Sequence, residues 1–168
     1  MKTRKLLIDQ RGFTLIELLV AIALVGLITL GITMTISQIW TINIGASNHM
    51  IAVRQVQQAG KEVSKDTLQA QNVTDTDSDF PLSLAWVDWE GTVNEATYTI
   101  TSDNELQRSH NIEGIRVIAR YIDPDQTSCD WDDIREVLTV TVTATVGSGP
   151  QGASETRVYE IEPRPDQQ

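Results

Sequence analysis

The sequence predicts an α+β fold, with a long N-terminal α-helix packed on a small antiparallel β-sheet head. Three observations predict it. Between residues 18 and 53 there is no Asp, Glu, Lys or Arg. Val53, Val56, Gly60, Val63, Thr67 and Ala70 then recur at spacings of three and four, with Arg54, Gln57, Gln58, Lys61, Glu62 and Lys65 on the other faces, which is the period of an amphipathic helix. From Leu82 onward the period changes to two, in short runs bounded by Gly, Asp and Asn. The chain has 168 residues, 40% of them apolar, which suits one small domain plus one long helix and is too little for two full domains.

The helix comes first. Lys2, Arg4, Lys5 and Arg11, against Asp9, precede the apolar run and mark the cytoplasmic side; the rest of the chain is expected outside. About 20 apolar residues cross a bilayer core, so residues 13–44 are long enough with some to spare. An ordinary secretory signal carries its small-residue cleavage site after the apolar stretch. Ile44-Gly45-Ala46-Ser47 follows a stretch too long for that role. The alternative junction, Arg11-Gly12-Phe13-Thr14, lies before it, and a cut there removes the charges while leaving the anchor. Glu17 stands one turn into the run, where a carboxylate at mid-bilayer would cost about 2.5–3.5 kcal/mol or more. Either it is a boundary charge tolerated near the interface, or it needs a positive partner inside an apolar assembly. Cleavage after Gly12 would expose the Phe13 amine as such a partner.

The helix is expected to continue to about Gln71, with Asn72 and the cluster at 74–79 ending it, for a length of about 85–90 Å. Strands follow at 83–89, 96–101 and 105–108, separated by turns at Glu90-Gly91-Thr92 and Ser102-Asp103-Asn104. Gly114 introduces a strand at 115–122. The clearest strand covers 137–146: Leu138, Val140, Val142, Ala144 and Val146 face a core, and the threonines between Thr139 and Thr145 face water. A loop at 147–152 leads to a return strand at 154–161, then an extended tail with Pro163 and Pro165. One sheet covered by one helix is the expected arrangement.

The formal net charge is −10, and beyond the basic tip the chain is more acidic still, which argues against a nucleic-acid face. Cys129 is the single cysteine, so no intrachain disulfide can form. Asp75, Asp77 and Asp79 open like an EF-hand loop, but Phe80 and Trp86 stand where glycine and glutamate are needed. Asp123, Asp125, Asp130, Asp132 and Asp133 crowd one expected loop, read as a solvated acidic loop or a weak site for a hard cation such as calcium. His49 and His110 are far apart and lack the companions of a zinc site. Cys129 has no orienting partners for nucleophilic work, and no Gly-x-Ser-x-Gly elbow or phosphate loop is present. Trp86, Trp89 and Trp131 fit core or edge packing, or an exposed aromatic patch. No catalytic constellation is legible.

Gly12 through Leu24 reads Gly-Phe-Thr-Leu-Ile-Glu-Leu-Leu-Val-Ala-Ile-Ala-Leu. It resembles the prepilin cleavage and methylation motif of type IV pilins and of type II secretion pseudopilins. The resemblance implies cleavage by a prepilin peptidase between Gly12 and Phe13, N-methylation of Phe13, and pairing of Glu17 with the N-terminal amine of a neighbouring subunit. Gly26 matches a glycine common in that helix. The proline found mid-helix in many type IV pilins is missing here, and so is the paired cysteine that closes their C-terminal loop. The alternating strand patterns loosely resemble the heads of larger minor pseudopilins. On this resemblance, residues 1–12 are a leader, 13–44 a transmembrane or filament-core helix, 45–72 its amphipathic half, and 73–168 the head. Implied partners are the peptidase, other pilin or pseudopilin subunits, an inner-membrane assembly platform and the lipid bilayer. No nucleic acid is contacted directly, no cofactor is needed and no enzyme activity is expected. The expected place is the cytoplasmic membrane, crossed once with the head outside, and then a pilus or pseudopilus. The alternative is a single-pass membrane-anchored extracellular binding domain that does not polymerise.

Overall fold

A computed structural model describes residues 12–76 and 79–163. Residues 1–11 of the expected leader, positions 77 and 78 of the acidic stretch, and Pro165 of the expected tail lie outside the described residues. The chain divides into two units, residues 1–41 and residues 42–168. One helix, α1 (Leu15–Thr67, 53 residues), contributes to both.

In the first unit every described residue from 12 to 40 is exposed. An 18-residue window of α1 has a mean hydropathy of 2.7 with none of it buried inside the chain, long and apolar enough to cross a membrane. Four threonines interrupt the aliphatic side chains. Thr29, Thr33, Thr35 and Thr41 each turn their hydroxyl back onto the carbonyl one turn earlier, those of Val25, Thr29, Gly31 and Ser37, at 2.8 to 3.1 Å. That bond satisfies a donor that hydrocarbon could not, so these residues suit an apolar surround. The helix is unbroken through Gly26, Gly31 and Gly45, and no proline falls within it.

In the second unit α1 presents one buried stripe: Ala52, Val56, Ala59, Gly60, Val63, Asp66 and Thr67. Ala70 continues it just past the helix. Val53 sits half-buried at its flank. The helix stops at Thr67 rather than near Gln71. A tightened last turn takes over, Gln69 and Ala70 donating to the carbonyls of Asp66 and Thr67 at 3.1 and 3.0 Å.

Among the described residues eight antiparallel strands follow: β1 Asn72–Thr76, β2 Asp79–Val87, β3 Val93–Ile100, β4 Glu105–His110, β5 Gly114–Arg120, β6 Ser128–Asp132, β7 Val137–Val146 and β8 Ala153–Ile161. They form two sheets rather than one, a five-stranded meander β1-β2-β3-β4-β5 and a three-stranded sheet β6-β7-β8. The break lies after β5. Tyr121 takes a left-handed backbone (φ 61°), and Pro124, which has no N–H for a ladder, opens a 3-10 turn capped by Asp123. The crossover stitches the sheets together. Ile122 N–H donates to Asn104 O (2.9 Å), Asp123 N–H to Thr143 O (2.9 Å), and Thr145 N–H to Tyr121 O (2.8 Å).

Two expectations change with this layout. Asn72–Thr76, expected only as the segment that ends the helix, is a strand, paired with β2 from Asn72↔Ala85 onward. Thr143 is fully buried rather than wet, because the crossover covers that side of β7: its hydroxyl donates to Gln126 O (3.0 Å), and its N–H donates to the Thr127 hydroxyl (3.0 Å). The apolar face of β7 behaves as expected. Leu138, Val140, Val142 and Ala144 join Val56, Val63, Leu84 and Tyr98 in one core. Tyr159 of β8 reaches α1 where Gly60 leaves room for its ring, and its hydroxyl donates to Val56 O (3.0 Å).

Candidate processing and assembly site

The N-terminal site is built by the first turn of α1. Gly12, Phe13 and Thr14 precede the helix and are exposed. A side-chain carbon placed on Gly12 would meet nothing within 4 Å among the described residues, so the fold itself has no need of glycine there. Phe13 is 86% exposed. Thr14 and Glu17 form a reciprocal cap. Glu17 Oε2 accepts from Thr14 N–H (3.0 Å) and from its hydroxyl (2.9 Å), while Glu17 N–H donates to Thr14 Oγ1 (3.3 Å). This is a Thr-x-x-Glu capping box, which satisfies N–H groups that a helix start leaves open and places an anion at the positive end of the helix dipole. Both carboxylate bonds use Oε2; Oε1 accepts none from the described residues. Glu17 lies with Phe13, Ile16, Val20, Ala21 and Leu24 along one apolar helical surface.

Gly12, Phe13 and Glu17 therefore lie within six residues of one another at the start of α1. Thr14 is the partner that completes this site, and its spacing of three from Glu17 is the legible signal of a cap. The five aspartates are not brought together in one loop. Asp123 caps the 3-10 turn, accepting from Asp125 N–H (3.1 Å) and Gln126 Nε2 (3.0 Å). Asp130 and Asp132 stand on β6, and Asp132 Oδ1 accepts from the N–H groups of Ile134 and Arg135 (both 3.0 Å). Among the described residues no group of three or more His, Cys, Asp or Glu side chains is placed to hold a metal.

A second polar constellation lies under the head and was missed in sequence. Asp66, 1% exposed, accepts from Tyr98 Oη (2.7 Å) and Arg108 Nε (2.6 Å). Arg108, 5% exposed, also reaches Glu113 Oε2 through Nη1 (2.7 Å). Burial alone would ease the proton off Arg108, but its bond to Asp66, the Asp66 charge and Glu113 outweigh that and raise its pKa. Burial, then the charge and hydrogen bond of Asp66, push Tyr98 up. The hydrogen bond and charge of Arg108 hold Glu113 below the usual carboxylate range. The groups satisfy one another, so the cluster ties helix to sheet. Its signal was an Asp three residues after Val63, on the apolar stripe.

Residues 8–33 match the family model described as the prokaryotic N-terminal methylation motif, the signal of type IV pilins and pseudopilins. Gly12, Phe13, Thr14 and Glu17 all fall inside the matched segment. No curated protein and no solved structure matches the chain.

Proposed function

We propose that the chain is a prepilin-type structural subunit, cut after Gly12, N-methylated at Phe13, held in the cytoplasmic membrane by residues 13–44 with the head outside, and assembled into a type IV pilus-like or pseudopilus filament. The observation that carries the reading is the helix of residues 15–40, apolar and exposed all round, opening on a single carboxylate directly after an exposed Gly-Phe junction. Such a surface needs lipid or other helices around it. The cut would be made by a prepilin peptidase, which supplies the requirement for Gly12 that the fold lacks. An inner-membrane platform would then bring subunits together. In the uncut chain Glu17 caps its own helix through Oε2. After the cut, Oε1 is the atom available to the Phe13 amine of a neighbouring subunit, a charge pair in a dry surround that fixes the axial register between helices.

The test is Glu17→Gln in the producing cell. The protein should be made, cut and inserted, its N-terminus should be a methylated Phe13, and it should fail to co-purify with other pilins. Normal incorporation of the Gln variant overturns the assembly role.

The capping box itself favours a second reading. It gives Glu17 a local job, as expected of a membrane-anchored head that does not polymerise. Under that reading Glu17→Gln and Glu17→Ala change only the stability of the first helical turn, and the mature N-terminus is not a methylated Phe13.

A further inference from the structure

Five large apolar side chains gather where two hairpin tips of the five-stranded sheet meet, at the end of the head where α1 stops. The side of this sheet that faces α1 carries Leu82, Leu84, Trp86, Ala96, Tyr98 and Leu106. On the opposite side Val87 pairs with Val93 across β2 and β3, and Ile115 lies opposite Ser109 across β4 and β5. Trp89 and Ile112 occupy the two turns, 91% and 63% exposed. Asn111 locks the tips side by side. Its N–H donates to Glu95 O (3.1 Å), its Nδ2 to Val93 O (2.8 Å), and its Oδ1 accepts from Glu95 N–H (3.2 Å).

Both turns are pinned. Asp88 Oδ1 accepts from the N–H groups of Glu90 and Thr92 (both 2.9 Å), and Asp88 N–H closes onto Thr92 O (3.0 Å). The bond from Thr92 N–H, chief among several, holds the Asp88 carboxylate below its ordinary range, so it stays charged. In the other turn His110 Nδ1 accepts from the N–H groups of Ile112 and Glu113 (both 3.2 Å), and Arg108 anchors Glu113 from below. A turn tied by this many bonds around an outward tryptophan buries nothing of its own with that side chain. It holds the ring in one place, which lowers the ordering cost of being bound.

The rim of this patch is acidic. Asp88, Glu90 and Glu95 flank the apolar side chains, and no Lys or Arg occurs between residues 66 and 107. The nearest cation in sequence to Ile115, Arg116, turns to Glu62 of α1 at 3.1 Å. We propose that the paired tips Val87, Trp89, Val93, Ile112 and Ile115 dock a different protein, one that offers an apolar pocket bordered by Lys or Arg. A second copy of this chain would bring its own acidic rim and repel. Anionic lipid and nucleic acid are disfavoured by the same charge. The proposal stands whether or not the chain polymerises.

The experiment uses the full chain in the producing cell. A photoreactive p-benzoylphenylalanine replaces Ile112, and the crosslinked peptide is identified by mass spectrometry. The expected product joins position 112 to one other protein, at a segment where apolar residues lie beside Lys or Arg. Trp89→Ser should lower its yield by about tenfold, as for loss of an aromatic anchor. Asp88→Lys would disturb the turn as well as the charge, so the charge is tested with Glu90→Lys and Glu95→Lys together, which should lower the yield at unchanged melting temperature. The same photoreactive group at Gln107, on the polar middle of that side, should give no such product. A crosslink to another copy of this chain, to lipid, or to no partner overturns the proposal, as does a product insensitive to Trp89→Ser. Processing after Gly12 and the Glu17→Gln phenotype are read separately, so either idea can fail without the other.

Discussion

The two halves of α1 are one unbroken helix written for two surroundings. Residues 15–40 are exposed on every face and carry aliphatic side chains all round. From Ala52 to Thr67 burial is confined to one stripe, and the opposite faces carry Arg54, Gln57, Gln58, Lys61 and Lys65. The difference teaches that helicity and packing have separate sources. Hydrogen bonding along the backbone is the same in both halves. The second half gains its stability from one face covered by the two sheets, whereas the first has no cover among the described residues.

Charge separates the two halves most sharply. Val63→Asp places an unpaired carboxylate in the core and should destabilise the head by about 3–5 kcal/mol. Ile28→Asp, the same kind of change in the first half, should leave unfolding of the head unchanged and impair membrane insertion instead. Thermal melts of detergent-solubilised protein, followed by tryptophan fluorescence, separate the two. Equal melting temperatures for Val63→Asp and the parent would mean that the stripe does not cover the sheets. Next is the buried polar tie. Asp66→Ala strands Arg108 without its buried partner and should cost about 3 kcal/mol in the same melts; Asp66→Ala together with Arg108→Met should recover part of it.

Glycine gives a finer contrast. A methyl at Gly60 would overlap the Tyr159 ring, so Gly60→Ala should cost about 1–3 kcal/mol. Gly31→Ala meets nothing within 4 Å among the described residues and should leave the head's melt unmoved. Titration offers a gentler probe, confined to the head. Burial, with the charges of Asp75, Asp79 and Asp130 behind it, pushes the Cys129 thiol up to about 12 from an ordinary 9.0, and the thiol donates to Asp79 O at 3.1 Å. The folded state thus holds that proton more tightly. The stability it lends is complete below about pH 9 and is lost as pH climbs towards 12. Tyr98, also raised, adds to the loss above its ordinary 10.0. Asp88 and Glu113 act in the opposite direction: held low, they lend stability above their ordinary 3.8 and 4.5 that disappears as pH falls through their folded values. Melting temperature against pH should therefore fall at both ends, and Cys129→Ala should flatten the alkaline limb. A small gain is expected at Thr67, whose buried hydroxyl has no partner among the described residues. Thr67→Val keeps the shape and should stabilise by about 1 kcal/mol.

Much of this was legible in the order of residues. A charge-free run behind a basic tip marks a helix long and apolar enough to cross a membrane, by length and composition alone. The Gly12-Phe13 junction and Glu17 are marked by their position at the edge of that run. Alternation from Leu138 to Val146 names a half-buried strand, since a strand's side chains switch faces at every residue. These features are local, fixed by composition and period.

What tertiary structure decided depends on which segments meet. Residues 128–132 do not read as a strand, because aspartate disfavours one; pairing with β7 makes them β6, with Cys129 turned inward. The division into two sheets rests on a left-handed Tyr121 and on a crossover whose partners, Asn104 and Thr143, are distant in sequence. The same crossover buries Thr143, which period alone assigns to water. Asp66 looks like an error on an apolar stripe until Tyr98 and Arg108 arrive from β3 and β4 to satisfy it. A carboxylate can be buried only where donors converge, and convergence is a property of the folded chain rather than of any stretch of it.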